Sequence, residues 1–421
     1  MKRCSSIMEY LTGLEDTGII FGLDNITSIL NAIGNPHERL RFIHVAGTNG
    51  KGSVATMLSS ILEDAGYRVG KYTSPHLIRF NERIVINKKE IGDADIYEIG
   101  CYIKECIERQ NIGKRFSYFD FTTAMAFEYF YRMKVDVAVI EVGLGGRLDS
   151  TNVINPILCI ITNIAKDHMD YLGSNLEDIA KEKAGIIKRG IPVITGAKGV
   201  ALDVIEKKAM ELKCPIFREG HEFSFKKIKE QTIDFSFKGR TYKDLFVSLY
   251  GNHQLFNASL AICGAILLKE KGFNISDGAL YGGLAKTEWA GRLETVKKRP
   301  EIILDGAHNL HAIEAVITFI RDYYKDKNIV LIFGIMADKE YEGILKEIIP
   351  LAHKVIFTKA NTKRALSPYK LANFAEKCYI TDNVFDALKT AKDIAYEDDV
   401  ILITGSLYIV GEAKKLIDEI F

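Results

Sequence analysis

No charge of either sign dominates this sequence. Its 56 basic and 55 acidic residues leave a formal net charge of +1, which argues against a bulk nucleic-acid binder with a strongly basic face. Apolar runs are short as well. Stretches such as 329–335 and 400–403 are of strand length, far below the roughly 18–20 residues of a membrane helix. The N-terminus MKRCSSIMEY has two basic residues but no apolar run behind them, so it does not read as a signal peptide. Seven cysteines (Cys4, Cys101, Cys106, Cys159, Cys214, Cys263 and Cys378) are scattered without a C-x-x-C pair, which disfavours a zinc knuckle or thioredoxin-like site and points to reduced thiols. No repeat or low-complexity tract is visible. What remains is a cytoplasmic globular chain with 47% hydrophobic residues, long enough to bury a large core without staples.

Short β-branched runs alternate with amphipathic stretches. Strands are expected at 41–46, 69–72, 136–142, 157–162, 191–195, 301–304, 329–334, 354–357 and 400–404. Helices are expected at 53–64, 121–133, 176–187, 254–269, 311–323 and 409–420. Continuous apolar strands separated by helices indicate buried parallel sheets of an α/β protein. The segment 223–249 differs. It alternates with period two around Gly239–Arg240, as in a small antiparallel meander with one wet face, and its charge run 226–230 reads as that face. The charged, proline-ended stretch 296–300 suggests a domain boundary near 297, leaving residues 1–296 and 297–421 as two domains.

The segment 42–53, FIHVAGTNGKGS, runs from an apolar strand through a glycine-rich turn into a helix. Such a turn aims backbone N–H groups at phosphate oxygens, and the helix N-terminus adds partial positive charge. Lys51 supplies a full charge, and Ser53 a hydroxyl suited to Mg²⁺. The strict G-x-x-x-x-G-K-[ST] pattern is not met: Val45 stands at the first glycine position, and Gly52 separates Lys51 from Ser53. An ordinary strand–helix turn is the alternative. Polar residues collect past other apolar strands. Glu141 suits a Mg²⁺ ligand, a water-positioning group or a surface carboxylate. His168 reads as a metal ligand or a structural histidine. Ser74 to His76 follow the strand 69–72, and Asp305 and His308 follow the strand at 301. The set suggests a ligand cleft. The charges of IAKEKA at 179–184 read, on their own, as a solvated helix face.

GTNGKGS, SPHL, EVGLGGRLDSTN, DHMDYLG and EKAGI follow in order, and GNHQLFNA, GRLE, DGAHN and TGSLY come later. With these motifs the chain resembles the folylpolyglutamate synthase/dihydrofolate synthase branch of the Mur ligases over nearly its whole length. The resemblance implies an N-terminal P-loop ATPase domain, a C-terminal Rossmann-like glutamate ligase domain, and an active site between them. It implies that ATP converts a folate carboxylate to an acyl phosphate, which the amine of L-glutamate then attacks.

By the same resemblance Gly50, Lys51, Gly52 and Ser53 hold the ATP phosphates, and Asn257, Arg292 and Asp305 contact ATP. His308 lies near the transferring phosphate. Ser74, Glu141 and His168 join Ser53 around Mg²⁺, and Lys183 is carbamylated. Folate or dihydropteroate is expected near Ser117, Tyr118, Phe119, Asp120, Leu148, Asp149 and Ser150. GLDNI at 22–26 carries Asp24–Asn25 where the family has an acidic–basic pair, which favours glutamate-chain extension over the dihydrofolate-forming step. A monomer is expected, with no nucleic-acid or membrane partner. Two other readings stand beside this one. A cell-wall or cyanophycin-type Mur ligase is expected to carry a nucleotide-sugar domain, and only about 40 residues precede the P-loop here, too few for a domain. A P-loop nucleotide-binding protein without ligase chemistry leaves Glu141, His168, Lys183 and Asp305 without a role.

Overall fold

The computed structural model describes residues 7–15, 17–113 and 115–421; Cys4 lies outside them. The chain divides into two compact units. The first comprises the described residues up to Ile228 with Thr232–Phe246 and Phe256–Thr287. The second comprises Glu288–Phe421 with Lys229–Gln231 and Val247–Leu255.

The first unit is built on eight strands: β1 (Phe42–Ala46), β2 (Val69–Tyr72), β3 (Ile84–Ile86), β4 (Lys89–Glu90), β5 (Val137–Glu141), β6 (Leu158–Ile161), β7 (Val193–Thr195) and β8 (Ile216–Arg218). Their order is β4-β3-β2-β5-β1-β6-β7-β8. β1, β5 and β6 are buried along their whole length, as strands covered on both faces must be, and all pair in parallel. In the register Val45 lies opposite both Glu141 and Ile160. The carboxyl ends of three strands therefore come together at one edge, where α/β sheets bind ligands.

Helices Lys51–Asp64 and Tyr118–Arg132 supply the central packing. Residues 53–62 of the first and 120–130 of the second are buried without a break. Phe121, Phe127 and Phe130 are fully buried in a cluster with Phe42 and Tyr72, each worth about 1.5–3 kcal/mol of burial.

The meander forms as β9 (Phe223–Lys229), β10 (Thr232–Phe237) and β11 (Arg240–Phe246). Phe223, Ile233, Phe235 and Leu245 are buried while 226–229 are exposed. The turn sits one residue earlier than expected, at Lys238–Gly239. Both residues have positive φ, 50° and 76°, as a two-residue hairpin turn compatible with strand twist requires.

The second unit holds β12 (Glu294–Lys298), β13 (Glu301–Leu304), β14 (Ile329–Phe333), β15 (Lys354–Phe357), β16 (Tyr379–Ile380) and β17 (Val400–Thr404), in the order β12-β13-β17-β14-β15-β16. All are parallel except β12, which forms an antiparallel hairpin with β13. The charged segment near 297 is thus an edge strand. Helices at Asp93–Arg109, Val200–Glu211, Asp277–Ala285 and Val384–Ile394 were not among the expected elements, nor were the short strand β3 and the edge strands β4, β8, β12 and β16. Among the described residues no helix is long and apolar enough to cross a membrane.

Candidate active site

The phosphate loop links β1 to the helix that begins at Lys51, with Gly50 at its N-cap. Two of its glycines are required by geometry. Gly47 has φ 145°, and a Cβ there would lie 1.9 Å from Thr162 Oγ1. Gly50 has φ 81°, and its Cβ would lie 2.3 Å from Asn257 Oδ1. No larger residue fits either close approach. The loop is braced by the turn after β6: Thr48 N donates to Asn163 O (2.8 Å), Asn49 N to Asn163 Oδ1 (3.0 Å), and Thr162 Oγ1 to Asn49 O (2.6 Å).

Three predicted groups meet this loop. Lys51 Nζ folds back onto the carbonyls of Gly47 and Thr48, both at 3.1 Å. Asn257 is buried against Gly50. Lys183 Nζ donates to Gly47 O at 2.8 Å. Lys183 is buried, not on a solvated face. Burial first, and then repulsion from the Lys51 ammonium, push its amine down to about 7, against the opposing pull of Asp167 and Asp149. A neutral, and so nucleophilic, form of the amine is then within reach near neutral pH.

Glu141, at the end of β5, is buried and accepts a bond from Ser74 N at 3.1 Å. Ser53 is buried in the first turn of its helix, and Gly52 is half-buried beside it. His168 has left-handed backbone, φ 51°, and heads a short helix, with its Nε2 3.9 Å from Asp167 Oδ1. Among the described residues no three His, Cys, Asp or Glu side chains gather into a metal cage. A buried carboxylate with serine hydroxyls fits Mg²⁺ nonetheless, since that ion takes few protein ligands and keeps waters and phosphate oxygens.

The predicted folate residues form a second cluster. Ser117 and Asp120 make a reciprocal helix cap: Asp120 N donates to Ser117 Oγ and Ser117 N to Asp120 Oδ2, both at 3.0 Å. Ser150 Oγ donates to Asp120 Oδ1 at 2.7 Å. These three polar side chains therefore satisfy one another. Phe119 lies beside Tyr72, ring centroids 5.9 Å apart, and against Gly143. Tyr118 turns to the Arg83 guanidinium, 5.2 Å from its ring centre. Leu148 O accepts from Gly22 N at 3.3 Å. Asp149 is buried. Its Oδ2 accepts from Leu144 N (2.8 Å), and its Oδ1 from Thr151 N (3.0 Å) and Thr151 Oγ1 (2.5 Å). Burial raises this carboxyl against the pull of those bonds.

In the second unit, β13 delivers Asp305. Its two oxygens accept from Leu293 N (2.9 Å) and Ala307 N (2.8 Å), and burial raises its carboxyl against the neighbouring Arg292. His308 Nδ1 donates to Gly306 O at 2.9 Å. Asn309 caps the next helix through Ala312 N.

Sequence reading missed the supports: Thr162 and Asn163, His44 on β1, and Lys71, a second buried lysine whose amine burial lowers to about 8 and which donates to Thr56 Oγ1. The available signal was a polar residue inside or directly after an apolar strand, in HVAG, GKYT and ITNI.

These sites, an ATPase-type phosphate loop on a mostly parallel sheet and a second α/β unit, match a known pairing of domains. Residues 45–265 match the Mur ligase middle domain, and residues 291–407 match the Mur ligase glutamate ligase domain. The chain belongs to the Mur ligase family, in its folylpolyglutamate synthase/dihydrofolate synthase branch. It is 37% identical to the dihydrofolate synthase/folylpolyglutamate synthase of Bacillus subtilis, over 94% of this chain and 95% of that one. It is 34% identical to the solved folylpolyglutamate synthase of Thermotoga maritima, covering 98% and 96% of the two chains with a TM-score of 0.85. Against E. coli FolC, solved in complex with DHPP and ADP, the identity is 30%, the coverage 99% and 98%, and the TM-score 0.91.

Proposed function

We propose that this chain is an ATP-dependent ligase that adds L-glutamate to a reduced folate. The observation that carries the reading is Lys183, a buried lysine 2.8 Å from the phosphate-loop carbonyl of Gly47 with its amine lowered to about 7. A simple nucleotide switch has no use for it. A neutral amine can take up CO₂, and the resulting carbamate turns a cation that would repel Mg²⁺ into an oxygen donor.

In this reading the phosphate loop (Gly50, Lys51, Gly52, Ser53) and Asn257 hold ATP; in the second unit Arg292 and Asp305 are the proposed nucleotide contacts. Lys51 swings from its loop carbonyls to the outer phosphates. Ser53, Ser74, Glu141 and His168 would hold Mg²⁺, which when bound neutralises the phosphate charge. A folate carboxylate oxygen attacks the γ-phosphorus and ADP leaves. The glutamate amine then attacks the acyl carbon, and phosphate leaves carrying one oxygen of the original carboxylate. His308 stands near the transferred phosphate. Asp149 and Phe119 serve the folate ring. The protein acts as a cytoplasmic monomer.

Folate labelled with ¹⁸O in the reacting carboxyl tests the scheme. Label is expected in the released phosphate, and its absence defeats the acyl-phosphate route. The family relatives carry names for both activities. Dihydropteroate and tetrahydrofolate assayed side by side decide which acceptor this chain prefers, and glutamate-chain extension is the expected answer.

A further inference from the structure

His44 is fully buried on β1, just ahead of the phosphate loop, and the reaction above gives it no task. Its Nε2 lies 2.9 Å from Thr151 Oγ1, and the same oxygen lies 2.5 Å from Asp149 Oδ1. Several donors converge on the Asp149 carboxyl, among them Leu144 N, Thr151 N, Thr151 Oγ1 and the Gly143 backbone. That set suits a carboxylate, which only accepts. The single hydroxyl proton of Thr151 is then spent on Asp149, so toward His44 the oxygen can only accept. His44 must carry its proton on Nε2, which leaves Nδ1 a bare lone pair. Among the described residues Nδ1 is buried with no hydrogen-bond partner, an arrangement costly to keep unless the other nitrogen has a role.

We propose that His44 is a positioning residue for folate recognition: its Nε2–H fixes the Thr151 hydroxyl, which in turn fixes the orientation of the Asp149 carboxylate that meets the ring. This rests on the assignment of Asp149 to the folate site. The ring is well suited to a constant donor. Burial, with the Lys188 ammonium adding to it, lowers its ionisation to about 3, so it stays neutral and in one tautomer through the neutral range. Because His44 is part of β1, the strand that feeds the phosphate loop also sets the acceptor side chain across the sheet edge.

The test is a kinetic comparison of His44→Leu, His44→Gln, Thr151→Val and Asp149→Ala with the parent enzyme. His44→Leu is expected to raise KM for the folate acceptor about tenfold while KM for ATP and kcat stay within about twofold. His44→Gln places an amide N–H near the Nε2 position and should restore most of the affinity. Thr151→Val should match His44→Leu, and the double variant should be no worse than either single one. A Gln variant no better than Leu, or equal losses for ATP and folate, overturns the proposal while leaving Asp149 in place. An unchanged folate KM in Asp149→Ala overturns the folate assignment itself and this proposal with it. If the Leu variant does not fold, ¹⁵N imidazole NMR of the parent decides: an Nε2–H tautomer supports the relay, and an Nδ1–H tautomer overturns it.

Discussion

Replacing Lys183 by methionine should make the protein more stable and leave it inactive. The amine is held at about 7 against an ordinary value of 10.5, which corresponds to about 5 kcal/mol of penalty on the charged form. Methionine removes that penalty but also removes the bond to Gly47 O, worth about 1 kcal/mol or somewhat more. A net gain of about 3 kcal/mol follows at pH values below 7. The pH dependence has a definite sign. The unfolded lysine keeps its proton up to its ordinary value while the folded one loses it near 7. The parent therefore binds fewer protons when folded across this window, and its stability rises with pH between about 7 and 10.5. The advantage of Lys183→Met is full below that window and fades through it. The assay is urea unfolding in carbonate-free buffer, so that the amine stays unmodified, with hydrogen exchange of the helix Leu176–Ala184 as a local readout. A variant less stable than the parent at about pH 6.5, or an advantage that does not shrink by about pH 10.5, refutes the argument that a buried, only partly compensated cation sits at the phosphate loop. Adding bicarbonate should stabilise the parent and not the variant if the amine takes up CO₂.

Other outcomes follow from single contacts. Gly50→Ala meets a left-handed φ of 81° and Asn257 Oδ1 at 2.3 Å; a backbone cost of about 1–2 kcal/mol and a displaced Asn257 should raise KM for ATP at least tenfold, measured by ADP release. Glu141→Gln keeps an acceptor for Ser74 N but loses the charge, so the Mg²⁺ concentration for half-maximal rate should rise about 10–100-fold with the melting temperature little changed. Asp305→Ala strands the N–H groups of Leu293 and Ala307 and should cost about 2–4 kcal/mol. The fluorescence of Trp289, the single tryptophan and part of the second unit, reports it, and Asp305→Asn should recover part of the loss.

Most of the framework can be read directly from residue order. Strands such as Glu301–Leu304, Lys354–Phe357 and Val400–Thr404 lie on their apolar runs to within one residue, because a strand buried on both faces is mostly apolar. The glycine-rich turn between Phe42–Ala46 and the helix from Lys51 was equally plain, because its chemistry is local: the φ values belong to the glycines themselves. Short edge strands were less legible. β12 has charged residues on an edge and β16 is two residues long, and pairing there depends on a neighbouring strand rather than on an apolar pattern.

Residue order alone specified the central buried strands, the phosphate loop and the family, since period, turn chemistry and motif order are properties of neighbours along the chain. Only tertiary structure decided the state of individual side chains. IAKEKA reads as a solvated face, yet folding buries Lys183 against Gly47, 136 residues away, and lowers its amine. His44 looks like one more residue of an apolar strand until Thr151 and Asp149 arrive from beyond β5 to give its Nε2 a partner. Ionisation and hydrogen-bond direction depend on desolvation and on groups distant in sequence, and those exist only once the sheet has brought its strand ends together.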